Sequence, residues 1–203
     1  MIRIKIKNKK FIVPNDFKEL TIGKYQELNK IKLDEKKDIL DYINILTGIS
    51  KDMINLMDIG DVKNITDNLL KFFDKEKYDL VDAVKIEKDT YVFDRNLDSM
   101  RFEMFIDLEE LTKDQDSIID NLHIIMAILY RPMIKKRFYQ RDIKEEEYNS
   151  INIKQRAEFF KDNMMMDKVL GALFFFINLR TKYITTILDY STNDKKTQME
   201  TMI

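Results

Sequence analysis

Ile2, Ile4 and Ile6 alternate with Arg3, Lys5 and Lys7 at the start of the chain. A period of two with β-branched residues on one side predicts a half-buried strand. Asn8-Lys9-Lys10 supplies a turn, Phe11-Ile12-Val13 a return strand, and Pro14-Asn15-Asp16 an end, so residues 2–13 read as a hairpin. The apolar spacing then lengthens to three and four, the period of a helix. Thr21 is placed to cap a helix reaching about Ile31. Asp34 is placed to cap the next, which carries Ile39, Leu40, Ile43 and Leu46, with Gly48 just past its end where a left-handed residue is wanted. Ser50 caps a short helix through Met57. Gly60-Asp61 separates that from a helix carrying Val62, Ile65, Leu69, Leu70 and Phe73.

Period two returns at residues 82–94, where Val84 and Ile86, then Tyr91 and Phe93, flank a turn at Lys88-Asp89. This predicts a second hairpin. Met100 to Leu111 carries a mixed helical pattern. Asp116 or Ser117 caps the clearest helix, in which Ile118, Ile119, Leu122, Ile125, Met126, Leu129 and Tyr130 form one stripe. Pro132 stops it, because the residue before a proline is pushed out of the α region. Residues 133–150 are highly charged and read as a loop with a turn of helix. Ile153 to Lys161 is a further helix, and the last starts near Met165 and runs to about Tyr190. The expected fold is mainly α, a helical domain with one or two small β-hairpins at residues 2–13 and 82–94. The expected units are 1–80, a hairpin with helices, 81–190, a hairpin with a helical core, and 191–203, a flexible tail. The alternative is one continuous domain, with 75–95 as the candidate hinge otherwise.

Composition sharpens this picture. Of 203 residues, 44% are hydrophobic and 35% charged, enough to bury a core and still solvate a surface. The 35 basic and 36 acidic side chains nearly cancel, so no long-range field draws in nucleic acid or anionic lipid. No cysteine is present, which removes disulfides, thiol catalysis and cysteine-rich zinc sites. The longest strongly apolar run, Val169 to Ile177, falls short of the about 20 residues that cross a bilayer. The N-terminus alternates where a secretion signal would be continuously apolar. The expected location is therefore cytoplasmic, with no membrane partner and no cofactor.

Candidate chemistry is thin. The four glycines, Gly23, Gly48, Gly60 and Gly171, stand apart, and no phosphate-binding loop can be built from them. His123 is the single histidine, beside Leu122 near the apolar stripe. It reads as a lone base or ligand, or, as favoured here, as a boundary residue with its ring nitrogens hydrogen-bonded. Asp94, Asp98, Glu103, Asp107, Glu109 and Glu110 crowd one region, some at helical spacing. Converging carboxylates hold magnesium in nucleases, so a metal-dependent enzyme acting on nucleic acid, using several of Asp94, Asp98, Glu103 and Asp107, is the alternative function. A solvated helix face is the blander and favoured reading. Basic residues occur at Lys7-Lys9-Lys10 and at Arg131, Lys135, Lys136, Arg137 and Arg141 with Phe138 and Tyr139, a pattern that can hold single-stranded nucleic acid. Asp142, Glu145, Glu146 and Glu147 follow at once and cancel the local field, so a nucleic-acid partner is not expected.

The segment from Met164-Met165-Met166 through Val169 to Ile177 is apolar all round. Such a helix is expected to be enclosed on every side, since burying each large side chain stabilises by roughly 1.5–3 kcal/mol. Either it is the domain's central helix, the favoured reading, or one face meets a partner. Methionine suits an adaptable binding surface, and Gly171 with Ala172 would let another helix approach.

Three stretches carry a resemblance. They are Val13-Pro14-Asn15-Asp16-Phe17 with Leu20-Thr21-Ile22-Gly23-Lys24-Tyr25-Gln26-Glu27-Leu28, then Asn121-Leu122-His123 through Ala127-Ile128-Leu129-Tyr130-Arg131-Pro132, and Met166-Asp167-Lys168-Val169-Leu170-Gly171-Ala172-Leu173-Phe174-Phe175. In that order they resemble a family of tailed-phage proteins of roughly 200 residues found among structural and tail-assembly genes. The resemblance implies a non-enzymatic role in virion morphogenesis, as a tail assembly chaperone or a minor virion component. It would act in the host cytoplasm or the virion, with other phage structural or tail proteins as partners and self-association left open. A chaperone would offer an apolar groove to helical client segments. The expected partner-binding residues are Met164, Met165, Phe174 and Phe175, with Tyr130 and Arg131 at the rim.

Overall fold

The computed structural model describes residues 2–6, 9–14, 16–31, 36–70, 78–95, 100–134 and 144–181. The chain is mainly α with some β. It opens with β1 (Ile2–Ile6) and β2 (Lys9–Val13), antiparallel with Ile4 opposite Phe11 and Ile6 opposite Lys9. That register draws Lys9 and Lys10 into the return strand, where the expected turn had included them. Asp16 then caps a short 3-10 turn, Phe17–Glu19, by accepting from the Lys18 amide at 3.2 Å.

Helix α1 (Ile22–Asn29) starts at Thr21, whose hydroxyl accepts from the Lys24 amide, as expected of an N-cap. Helices α2 (Lys36–Thr47) and α3 (Lys51–Ile54) follow, separated by Gly48 at φ 70°. The expected cap Asp34 lies outside the described residues. Helix α4 (Ile59–Leu70) begins earlier than its apolar pattern suggests. The Asp58 carbonyl accepts from the amides of Asp61 and Val62, so Gly60 and Asp61 form the first turn and do not separate two helices.

The second hairpin joins β3 (Ala83–Ile86) to β4 (Asp89–Phe93). Ile86 pairs with Asp89, which puts Glu87 and Lys88 in the turn and moves it one residue toward the N-terminus of the expected site. Helix α5 (Phe102–Leu111) leads to α6 (Gln115–Leu129). Asp114 caps α6, accepting from the Ser117 amide at 2.7 Å and the Ser117 hydroxyl at 2.9 Å. Asp116 and Ser117, expected at the cap, therefore sit inside the first turn. The helix ends before Pro132, but the chain does not enter a loop there. Tyr130 turns extended and opens β5 (Tyr130–Ile134), which pairs with β4. A two-residue strand, β6 (Lys144–Glu145), pairs with β5, so part of the expected 133–150 loop extends a sheet of order β3-β4-β5-β6. Helix α7 (Ser150–Asn163) is capped by Asn149. A final helix, α8, occupies residues 166–181, and its expected extension to Tyr190 and the 191–203 tail lie outside the described residues.

The core gathers around α6, which packs on α7, α5 and α1. Residues 125–130 are buried without a break, so the C-terminal half of this helix is enclosed. Phe93 stacks edge-on against Tyr130 and Phe175, and Tyr91 against Phe160, which seats the hairpin on α7 and α8. The segments preceding α1 and α8 meet as an antiparallel bridge, Thr21 opposite Met165. The Ile22 amide donates to the Met164 carbonyl at 3.1 Å and the Met166 amide to the Leu20 carbonyl at 2.8 Å. Buried residues from Ile6 to Phe176 belong to one hydrophobic cluster.

Candidate functional site

The six expected partner-binding residues do not form one surface. Tyr130 and Met164 are fully buried. The Tyr130 hydroxyl donates to the Val81 carbonyl at 2.6 Å, and burial, with Asp82 adding to it, pushes its pKa well above the usual phenol value. It is a core residue, not a rim residue, because the aromatic packing with Phe93 and the bond to Val81 use the whole side chain. Arg131 is half-buried and donates to the Glu146 carbonyl at 3.2 Å. Phe175 is half-buried against Phe93, with the Arg95 guanidinium 5.9 Å from its ring centroid. Met165 and Phe174 reach solvent, at 36% and 51% exposure. Helix α8 is thus not enclosed on every side, as its composition suggests. Gly171 does admit a close neighbour, but that neighbour is the backbone of Asp79 and Leu80, not a helix.

The carboxylate cluster is dispersed into pairings. Tyr148 donates its hydroxyl to Asp107, and burial together with that carboxylate raises the tyrosine's pKa. Glu109 takes a two-point ion pair from Arg180, with Nη2 at 2.8 Å, which ties α8 to α5. Glu110 pairs with Lys113 at 2.9 Å. Asp98 lies outside the described residues. Among the described residues no three acidic or histidine side chains are grouped closely enough to hold an ion. The basic segment 135–143 is also outside them. Among the described residues no helix is long and apolar enough to cross a membrane.

The most site-like feature is a cleft of about 510 Å³ between α5, α6 and α7. Leu111, Ile124, Ile128, Ile153 and Ala157 make it mostly apolar. A few polar groups stand at its edge: the Asp107–Tyr148 pair, Glu110, Lys154, Glu158 and His123. A largely apolar concavity with a small number of placed polar groups is the usual form of a binding site. Outside the cleft lining, the same two outer helices expose apolar side chains, Phe102 and Ile106 on α5 at 76% and 49% and Ile151 on α7 at 79%. None of the six expected residues lines this cleft.

His123 is held as a boundary residue. Gln26 Nε2 lies 2.8 Å from the carbonyls of both Ile119 and Asp120, and 3.1 Å from His123 Nδ1. The other ring nitrogen, Nε2, is 3.8 Å from Glu158. Burial pushes the imidazole pKa below its ordinary value, Lys161 pushes it the same way, and Glu158 opposes them.

Two further groups escape sequence reasoning. Gln26 is a polar residue on the buried side of α1, four residues after the buried Ile22, and that misplaced polarity is its only signal in the sequence. Arg156, 8% exposed, donates Nε to the Ala127 carbonyl at 3.0 Å and Nη1 to Glu146 at 2.7 Å. Ala127 lies in the last turn of α6, where carbonyls have no helical partner, so Arg156 caps that end. Glu146 in turn accepts from Asn152 at 2.9 Å.

Comparison with known protein families, with characterised proteins and with solved structures yields no match to this chain.

Proposed function

We propose that this chain is a non-enzymatic phage assembly protein that acts by binding other phage structural proteins, in tail assembly, within the host cytoplasm. The observation that carries the binding role is the apolar cleft between α5, α6 and α7, with Phe102, Ile106 and Ile151 left in water on its two outer helices. Contiguous apolar surface marks a partner site where singly exposed side chains do not, so the apolar lining of the cleft carries the reading. The cleft suits a helix laid along it, with apolar anchors reaching Ile124 and Ile128.

The phage assignment rests on the resemblance alone. The first and third stretches of that resemblance meet where the Met166 amide donates to the Leu20 carbonyl at 2.8 Å. Its first and second meet where Gln26 contacts His123. Residues far apart in the chain thus form one framework.

The test uses the purified chain, immobilised and offered in turn the tube, tape-measure and other tail proteins of a tailed phage. One or more of them is expected to bind. The double variant Phe102→Asp, Ile151→Asp, whose sites are exposed, is expected to keep the circular dichroism spectrum and lose that binding. Recovery of no tail protein would remove the assembly role. Unchanged recovery by the double variant would move the binding surface elsewhere.

A further inference from the structure

His123 sits at the junction of α1, α6 and α7, and its tautomer follows from the geometry. Gln26 faces two carbonyl oxygens, of Ile119 and Asp120, each 2.8 Å away. Only the amide nitrogen can face them, because the amide oxygen would meet two acceptors. That same nitrogen lies 3.1 Å from His123 Nδ1. It has two N–H bonds and no lone pair to offer, so Nδ1 cannot donate to it and turns its own lone pair toward hydrogens shared with the two carbonyls. The ring is therefore neutral and carries its proton on Nε2. Protonation would place an N–H of the imidazolium against the N–H bonds of Gln26. Turning the amide over would satisfy the ring but set the amide oxygen against both carbonyls of α6.

We propose that Gln26 and His123 form a proton-operated latch that holds α1 on α6 when the imidazole is neutral and releases it when the imidazole is charged. Charged groups face the ring from α7, where Glu158 favours the charged form and Lys161 disfavours it. Across the cleft stand Lys154 of α7 and Asp107 and Glu110 of α5, with Tyr148 bonded to Asp107. Asp120, on α6 itself, is engaged through its backbone carbonyl. Helix α1 contributes the uncharged Gln26, 4% exposed.

The sign is fixed by linkage. Burial holds the folded-state pKa of His123 below its ordinary value of 6.5, so beneath that pH the unfolded chain binds more protons than the folded one. Stability therefore rises with pH through this window and is lost as pH falls.

Hydrogen exchange of the α1 amides, corrected for the intrinsic pH dependence of exchange, tests the latch between pH 7.5 and pH 5. Protection of residues 22–29 is expected to fall at least tenfold more than that of α7. His123→Asn keeps an acceptor near the Nδ1 position but does not titrate, and its α1 protection is expected to be independent of pH. Should that variant fold poorly, Glu158→Gln serves at an exposed position. It is expected to shift the midpoint of α1 loosening to lower pH, because an attraction for the charged ring is gone. Nitrogen chemical shifts of the imidazole at pH 7.5 are expected to show the proton on Nε2. A proton on Nδ1, equal protection of α1 at both pH values, or the wild-type pH response in His123→Asn would each overturn the proposal. So would a midpoint that ignores Glu158→Gln.

Discussion

At the scale of single residues, the strained position is Glu87. It carries a φ of 52°, the one positive value of a non-glycine residue among the described residues. The two-residue link between Ile86 and Asp89 demands that conformation, since the favoured hairpin turns need positive φ to match the twist of the strands. A side chain there costs about 1–2 kcal/mol through the clash of Cβ with the backbone. Glycine escapes the clash but loses about 0.4–1 kcal/mol more in ordering the unfolded chain. The first effect is the larger. Glu87→Gly is therefore expected to stabilise the protein by about 0.5 kcal/mol, read as a higher urea midpoint at unchanged slope. A lower midpoint would mean that the Glu87 side chain holds the turn by a contact worth more than the strain.

At the scale of elements, two helical glycines part company. Gly60 lies in the first turn of α4 with no atom within 4 Å of where a Cβ would stand. Gly60→Ala is expected to stabilise by about 0.5–1 kcal/mol, the helical preference of alanine over glycine. Gly171 lies in α8, and a Cβ there would fall on the carbonyl of Asp79. The same helical preference is then outweighed by about 1–3 kcal/mol of overpacking, because the obstacle is backbone and cannot rotate away. Gly171→Ala is expected to lower the denaturation midpoint while Gly60→Ala raises it, and a shared sign would refute this packing. The obstacle at Gly171 comes from a segment some ninety residues earlier, and the contrast shows what pattern can and cannot convey. Alternation gave away the hairpins at β1–β2 and β3–β4, and three–four spacing gave away α2 and α6, because each pattern is local. Strands β5 and β6 were not legible. Tyr130-Arg131-Pro132 reads as the end of a helix, and its partners in β4 lie some forty residues earlier. The cleft was equally hidden, since its lining comes from three helices and Tyr148, spread between Asp107 and Glu158, and no short window contains it. Met164, Met165, Phe174 and Phe175 were expected to bind a partner because their segment is apolar, but Met164 is fully buried and Phe175 half-buried, so part of that apolarity serves the core.

At the scale of the whole molecule, the question is whether residues 1–80 can melt apart from the rest. Three contacts argue that they do not. Gln26 of α1 bonds to the backbone of α6 across a separation of more than ninety residues. The bridge at Thr21 and Met165 joins the start of α1 to the start of α8. Gly23 of α1 lets the backbone of α7 approach so closely that a Cβ would stand 3.1 Å from the Lys161 carbonyl. Breaking α1 away would expose Leu20, Ile22 and Leu28, all but fully buried, along with their partners on the other side. Opening this junction would uncover apolar surface on both sides, so the two halves are expected to unfold together. Calorimetry is expected to show a single transition whose van't Hoff and calorimetric enthalpies agree. Ile22→Ala deletes a fully buried side chain at the junction and is expected to cost about 2–5 kcal/mol. At about 2–4 °C per kcal/mol for a chain of this size, it moves that whole transition down by roughly 5–15 °C. Two peaks, with only the cooler one moved by Ile22→Ala, would instead divide the chain near residue 80 and make α1 the cap of a separate unit.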